Sequence, residues 1–237
     1  MLTNHRRAFR FSFGLLASVV FLLVAVGRHP EHQAPVTNLA FIGEFDGMVL
    51  RWADDVRNGV FTAICRFLSL IGGGLVTIPL RFAVAAWLLF RRRFVAFSAF
   101  VLTWVASEAL LTWLKIFFHR GRPPGSLVET VGFSFPSGHA VAGAALAVAL
   151  VLVAFPPGPA RLKWERVAMA FTFVMALSRV YLNAHWFSDV VAGTLLGAGL
   201  AIFWAAAVTE CRDLIFRARG EPIPPEEAPD TPVQAGK

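Results

Sequence analysis

Charge is what this 237-residue chain has least of: Asp, Glu, Lys and Arg together make up 16% of it. A soluble domain of this size carries about 25%. That deficit, with 57% hydrophobic residues and a mean hydropathy of +0.63, excludes an ordinary water-soluble globule and points to a membrane protein. Cysteine is almost missing as well. Cys65 and Cys211 are far apart and form no C-x-x-C pattern, so neither a disulfide nor a structural zinc site is expected. One Tyr stands against 23 Phe and 7 Trp, a balance suited to lipid-facing surfaces. The formal net charge is +7, yet the basic residues sit at the ends of apolar stretches rather than along one polar face. A nucleic-acid partner is therefore not expected; the lipid bilayer is.

The apolar stretches predict six helices, over about 11–26, 67–90, 94–118, 139–155, 167–178 (extending toward 181) and 189–208. A membrane span needs about 20 residues, so the first, fourth and fifth must borrow from their flanks. Orientation follows from the basic residues. Arg6, Arg7 and Arg10 precede the first span, Arg91, Arg92 and Arg93 follow the second, Arg161, Lys163 and Arg166 join the fourth to the fifth, and Arg212, Arg217 and Arg219 follow the sixth. Lys and Arg beside spans stay cytoplasmic, so both termini are expected inside.

The predicted fold is therefore an all-α, polytopic membrane bundle of six transmembrane helices. It divides into an uncleaved N-terminal anchor (1–27), an outside loop (28–58), a catalytic core (59–210) and a disordered cytoplasmic tail (211–237) rich in proline and acid. In the outside loop Phe41, Phe45, Met48, Val49, Leu50 and Trp52 interleave with Glu44, Asp46, Arg51 and Asp54, which predicts a short helix lying on the membrane surface.

Six ionisable residues fall at span ends on the non-cytoplasmic side: Lys115, Arg122, His139, Arg179, His185 and Asp189. Alone, each reads as an anchor or a structural residue; Lys115 as a snorkelling lysine, for example. Their convergence from three segments reads as a site, because charge at membrane depth is costly and usually functional. Lys115 and Arg122 are seven residues apart, about two helical turns, and so share a face. Ser137 precedes the fourth span as an N-cap, and the free N–H groups of Gly138 and His139 there suit an anion. Asp189 lies four residues beyond His185 and can accept its Nδ1 proton if the segment is helical.

These residue types suit phosphoryl transfer, in which positioning and cationic stabilisation are most of the catalysis. Lys115, Arg122 and Arg179 supply the cations. Neutral His185 can attack phosphorus through Nε2 while Asp189 holds Nδ1 protonated, His139 can protonate the leaving alkoxide, and water then hydrolyses the phosphohistidine. No cluster of carboxylates is available to hold magnesium or zinc, so no metal and no other cofactor is expected.

The order K-x6-RP (Lys115, Arg122, Pro123), PSGH (Pro136 to His139) and SR-x5-H-x3-D (Ser178, Arg179, His185, Asp189) resembles the three-part signature of the type-2 phosphatidic acid phosphatases, which share their core with vanadium haloperoxidases. The resemblance implies His185 as nucleophile, His139 as general acid and Asp189 as orienting residue. It assigns phosphate binding to Lys115, Arg122, Ser137, Gly138 and Arg179. It further implies a metal-independent hydrolase of membrane lipid phosphates or diphosphates, such as phosphatidate, phosphatidylglycerophosphate, undecaprenyl diphosphate or a lipid A phosphate. The corresponding setting is a bacterial inner (plasma) membrane with the active site on the periplasmic face.

Two other activities use a related pocket. A lipid phosphotransferase would pass the same phosphoryl group to an acceptor other than water, and a vanadium-dependent haloperoxidase would oxidise halide, although those relatives are soluble as a family. Glu108 inside the third span and Arg81 inside the second fall at similar depth and are expected to pair, or else Glu108 acts beneath Lys115. His119, Arg120 and Glu129 are expected at the rim of the site, and His5, His29 and His32 in loops.

Overall fold

A computed structural model describes residues 5–26 and 40–223. His29, His32 and the tail beyond residue 223 lie outside the described residues. The described residues form eight helices and no strand. They are α1 (His5–Val26), α2 (Ala40–Asp55), α3 (Gly59–Gly72), α4 (Gly74–Phe90), α5 (Phe94–Phe118), α6 (Gly138–Ala154), α7 (Pro159–Tyr181) and α8 (Phe187–Ala218). His5 therefore opens a helix rather than sitting in a loop.

Among the described residues four stretches are long and apolar enough to cross a membrane: Arg7–Val26, Gly59–Phe90, Phe94–Phe118 and Phe187–Ala218. α6 is apolar but 17 residues long, and α7 carries Glu165 and Arg166 near one end and Arg179 near the other. The chain is a multi-pass helical membrane protein. Its termini of helix depart from the apolar runs in physically sensible ways. α7 begins at Pro159, ahead of the run at 167, because Pro suits the first helical position and charged residues extend a helix as well as apolar ones. α8 continues through Ala218, past the expected core boundary at 210, so residues 211–218 are its last turns rather than disordered tail.

The second apolar run hides a break. α3 and α4 are two helices meeting at Gly73, whose φ of −77° and ψ of 164° are extended. The sequence Gly72-Gly73-Gly74 has little helix propensity, and tertiary packing uses the room. A Cβ on Gly72 would lie 2.4 Å from Met175 Sδ and 3.2 Å from His139 Cδ2.

α6 and α8 form the spine that sets the site. Gly193 and Gly197 on α8 let the two backbones touch: a Cβ at Gly197 would fall 2.3 Å from the Val141 carbonyl oxygen, and one at Gly193 2.7 Å from that of Ser137. Small residues four apart are how membrane helices approach closely. α1 packs on the other side of α8, where Val19 and Val26 join Leu196 and Leu200 in one buried cluster. As expected, α2 is amphipathic. Phe41, Phe45, Met48 and Trp52 are exposed, whereas Ile42, Asp46 and Ala53 are buried.

Candidate active site

His185 sits in the link between α7 and α8. The four-residue spacing from His185 to Asp189 is one turn only in a helical segment, and here α7 ends at Tyr181 and α8 begins at Phe187. Asn183, at a φ of 51°, turns the chain, and the amides of Ala184 and His185 both donate to the Arg179 carbonyl (3.0 and 3.3 Å). Asp189 still reaches back, because it stands in the first turn of α8 and its Oδ2 accepts from the Trp186 amide at 2.9 Å. A carboxylate at a helix start is well placed to do this. His185 Nδ1 faces the same Oδ2 at 3.5 Å.

The carboxylate of Asp189 has further partners. Its Oδ2 accepts from the Ser134 hydroxyl, and its Oδ1 from Arg120 Nη1 at 2.5 Å. Arg120 is thus not a rim residue. It is buried to 2% exposure, and its Nη2 donates at 2.7 Å to Asp46 Oδ2 on α2. Ser188 closes the network, its amide donating to Asp46 Oδ1 (2.8 Å) and its hydroxyl to Asp46 Oδ2 (2.6 Å). One buried cation between two buried carboxylates is tolerable only because each charge is paired and hydrogen-bonded. His119 instead ends α5 in the left-handed conformation, its ring 4.4 Å from that of Phe133, and Glu129 is exposed.

The cations close over His185 from above. Lys115 lies in the last turn of α5, and its Nζ donates to the Phe133 carbonyl at 2.5 Å. Arg122 lies beyond the helix end, so the two do not share a helix face, but the chain folds back and brings them together. Arg122 Nη2 donates to the same Phe133 carbonyl (3.2 Å) and to Val131 (2.9 Å), and its Nε to Gly132 (2.9 Å). Its Nη1 donates to the Ala184 carbonyl at 2.7 Å and lies 3.3 Å from His185 Nε2.

A second convergence involves α3, which sequence reasoning left out. Ser69 accepts from Arg179 Nη1 through its hydroxyl, and its carbonyl lies 3.1 Å from His139 Nε2. Ser137 occupies the N-cap of α6 by its backbone, but its hydroxyl makes no cap bond. Its amide donates to the Asp189 carbonyl at 3.1 Å, which ties the second and third motifs together. Ser137 Oγ and Arg179 Nε are buried and make no hydrogen bond among the described residues, and the buried His185 Nδ1 has the 3.5 Å approach of Asp189 Oδ2.

Electrostatics follow from this burial. Loss of water holds His185 down to about 4; Asp189 partly offsets this, while Arg122 and Lys115 add to it. The imidazole is therefore neutral near pH 7, with a lone pair available. Burial also lowers Arg122, against the pull of Asp189. In Arg120 burial opposes the charge, but the carboxylates of Asp189 and Asp46 prevail and raise its pKa. The sequence-predicted residues are thus gathered at one end of α5 to α8. Asp46, Arg120, Ser134 and Ser69 were missed. Asp46 gave one readable signal: with Ile42, Val49 and Ala53 it lies on one helix face, and a carboxylate on an apolar face needs a buried cation.

Cations around a buried His–Asp pair, at one end of a helical membrane bundle, define a membrane enzyme of phosphate-ester chemistry. The PAP2 superfamily model matches residues 96–213, from α5 through most of α8, and the chain belongs to that superfamily. It is a hydrolase of phosphoric esters. The chain is 28% identical over 151 residues to phosphatidylglycerophosphatase B of Bacillus subtilis (strain 168), covering 62% of this chain and 70% of the relative. It is 33% identical over 143 residues to an undecaprenyl-diphosphatase of Sulfolobus acidocaldarius, covering 57% of this chain and 65% of the relative.

Two solved structures share the fold. The transmembrane PAP2 type phosphatidylglycerolphosphate phosphatase from Bacillus subtilis superposes with a TM-score of 0.69 at 22% identity, over 86% of this chain and 96% of that one. Aquifex aeolicus LpxE gives a TM-score of 0.57 at 21% identity, over 68% and 94%.

Proposed function

We propose that the protein dephosphorylates a membrane lipid through a phosphohistidine on His185. One observation carries this reading: Arg122 Nη1 lies 3.3 Å from His185 Nε2, while Nδ1 of the same ring faces the Asp189 carboxylate at 3.5 Å. A phosphoryl group on Arg122 therefore meets the lone pair of a neutral imidazole whose other nitrogen is held protonated.

The steps follow. The terminal phosphate engages Lys115, Arg122 and Arg179, together with the Ser137 hydroxyl and the free amides of Gly138 and His139 at the start of α6. Nε2 of His185 forms an N–P bond as the bond from phosphorus to the lipid oxygen breaks. His139, protonated on both nitrogens, gives that oxygen its Nε2 proton and becomes neutral, exchanging the Ser69 carbonyl for the leaving group. Water then attacks phosphorus, the N–P bond breaks, inorganic phosphate departs and His139 recovers a proton from the water. The cations do the charge neutralisation that a metal does elsewhere, so chelators leave turnover unchanged.

The membrane setting fits six spans, α1, the α3–α4 pair, α5, α6, α7 and α8, with both termini cytoplasmic and the site on the periplasmic side of a bacterial inner membrane. α2 then lies on the outer surface. The lipid class is a phosphate monoester or diphosphate, as the names of the two relatives suggest. Release of inorganic phosphate by detergent-purified protein, from phosphatidate, phosphatidylglycerophosphate, undecaprenyl diphosphate and a lipid A phosphate, tests this, with His185→Ala as control. Full activity in His185→Ala would overturn it. Phosphate appearing on an added alcohol instead of in solution would identify a phosphotransferase.

A further inference from the structure

Two groups of charges lie off the site. Arg81 on α4 and Glu108 on α5 are the first. Arg81 is 3% exposed and its Nη1 donates to Glu108 Oε1 at 2.5 Å, while the Glu108 side chain is 48% exposed. The pairing expected from the sequence is thus present, and each charge answers the other. The second group lies at the opposite end of the bundle from the site. There Arg7 on α1, with Arg161 and Glu165 on α7, lines a cavity of about 900 Å³. Arg161 is buried, and its Nε donates to Glu165 Oε1 at 2.8 Å. Two cations against one carboxylate leave that end of the cavity positive.

The rest of the cavity is an apolar groove. α1 and α7 both pack on α8, and α6 and α8 floor the gap between them. On α8 the lining positions include Phe187, Val190, Val191, Thr194, Ala198 and Ile202, the three- and four-residue spacing of one helix face. On α7 they run from Arg161 to Leu177, about 24 Å at 1.5 Å per residue. Phe11 on α1 and Met169 and Phe173 on α7 line the groove and are themselves exposed. Exposed apolar walls on a membrane bundle mark an opening toward acyl chains rather than water. Among the described residues, none of those assigned to the site lines the groove. Ala176 and Val190 line it and pack with Ala140 and Val180 in a buried cluster, so it backs onto the site across apolar side chains.

Depth and charge together name the occupant. Arg161 and Arg179 stand eighteen residues apart on α7, about 27 Å, against about 30 Å for the hydrocarbon core of a bilayer. With the site at one membrane face, Arg161 stands at the headgroup level of the other. A molecule whose apolar part fills the groove therefore brings its polar part beside Arg7 and Arg161. The positive end selects an anion, and guanidinium groups suit phosphate oxygens. Basic pockets between spans hold lipid headgroups in this way. We infer that the groove between α1 and α7 binds an anionic phospholipid of the leaflet opposite the active site, with a chain along α8 and its phosphodiester at Arg7 and Arg161. In the orientation proposed above, that is the cytoplasmic leaflet. This lipid is not a substrate, because its phosphorus lies the width of the hydrocarbon core from His185. It links α1 to α7, the helix that carries Arg179.

Native mass spectrometry tests this on the full-length protein, purified in neutral detergent and mixed with equal amounts of phosphatidylglycerol and phosphatidylcholine of the same chains. The wild type is expected to keep one phosphatidylglycerol, with about tenfold preference over phosphatidylcholine, the factor one hydrogen bond to a charged group supplies. Arg7→Gln, at an exposed position outside the site, is expected to lower that preference to about a third or less. Ala198→Phe fills the groove from its floor and is expected to lose both lipids. Thr194→Leu fills less of it and is expected to weaken both. An unfolding temperature near that of the wild type in detergent alone marks either filling variant as folded. Equal retention of the two lipids by the wild type, or wild-type preference in Arg7→Gln, overturns the inference. Wild-type retention in a folded filling variant also overturns it. So does a lipid-free dimer that a filling variant dissociates, which assigns the groove to a second copy of the chain.

Discussion

Arg120 and Asp189 meet at 2.5 Å with both side chains sealed from solvent, so the carboxylate that faces the proposed nucleophile is itself held from below by a cation. That cation is in turn held by Asp46 on α2 at 2.7 Å. A surface helix and the centre of the site are linked by three charged groups.

Arg120→Lys tests this link. A single ammonium cannot bridge two carboxylates as the guanidinium fork does, so kcat is expected to fall about tenfold with little change in KM. Arg120→Ala leaves two buried carboxylates unpaired and is expected to cost about 3–5 kcal/mol of stability. Thermal unfolding beside steady-state kinetics separates the two effects. A lysine variant with wild-type kcat would show that Arg120 serves only the fold.

His185→Ala and Asp189→Asn differ in what they remove. The first is expected to abolish phosphate release and the acid-labile phosphoenzyme trapped by rapid quench. In the second, His185 loses its orienting partner, and kcat is expected to fall by about 10⁴, as when the acidic member of a catalytic triad is amidated. Both insert into membranes normally. Vanadate is expected to inhibit the wild type competitively.

Protonation of His185 gives a pH signature. Its folded value is about 4, below the ordinary 6.5 of an exposed imidazole, so activity is expected to persist from pH 7 to 5 and to fail as pH drops through about 4. The same depression means that the unfolded chain binds the proton more tightly. The stability contributed by the neutral ring is full above 6.5 and declines as pH falls toward 4. Arg122→Gln removes a neighbouring positive charge, so the titration is expected to move upward. Side-chain ¹⁵N resonances, assigned by loss in His185→Asn, report it directly; a downward move would contradict the geometry.

Gly197→Ala is expected to lower stability by about 1–3 kcal/mol, because the new methyl would stand 2.3 Å from a backbone oxygen that cannot swing away. Gly14→Ala on α1, with nothing within 4 Å, is the control and should be neutral or mildly stabilising. Thermal shift in detergent distinguishes them.

How much of this was legible beforehand depended on range. The ends of α5 and α6 fall close to the apolar runs because burial in lipid and helix breaking by Gly and Pro are local. Lys115, Arg122, His139, Arg179, His185 and Asp189 stood out because they fall at span ends on one side and in three ordered motifs. Arg120 did not stand out. Its neighbours His119 and Arg122 are also basic, and only the fold reveals that a carboxylate seventy-four residues earlier reaches it. The three glycines at 72–74 marked weak helix propensity, but the packing behind the break was not readable, since Met175 and His139, which occupy the space a side chain at Gly72 would need, lie far along the chain. The Arg81–Glu108 pair was readable from depth alone, but its unequal exposure was not.

The interruption between α3 and α4 carries one more consequence. Ser69, one turn before it, accepts both Arg179 and His139, while α4 runs on toward the arginine turn at the far membrane face. A span whose hydrophobic length mismatches the bilayer tilts or kinks, and Gly73 is where the α3–α4 pair changes direction. A movement of α3 there would carry the hydrogen-bond partner of His139 and of Arg179 with it, both through the one residue Ser69.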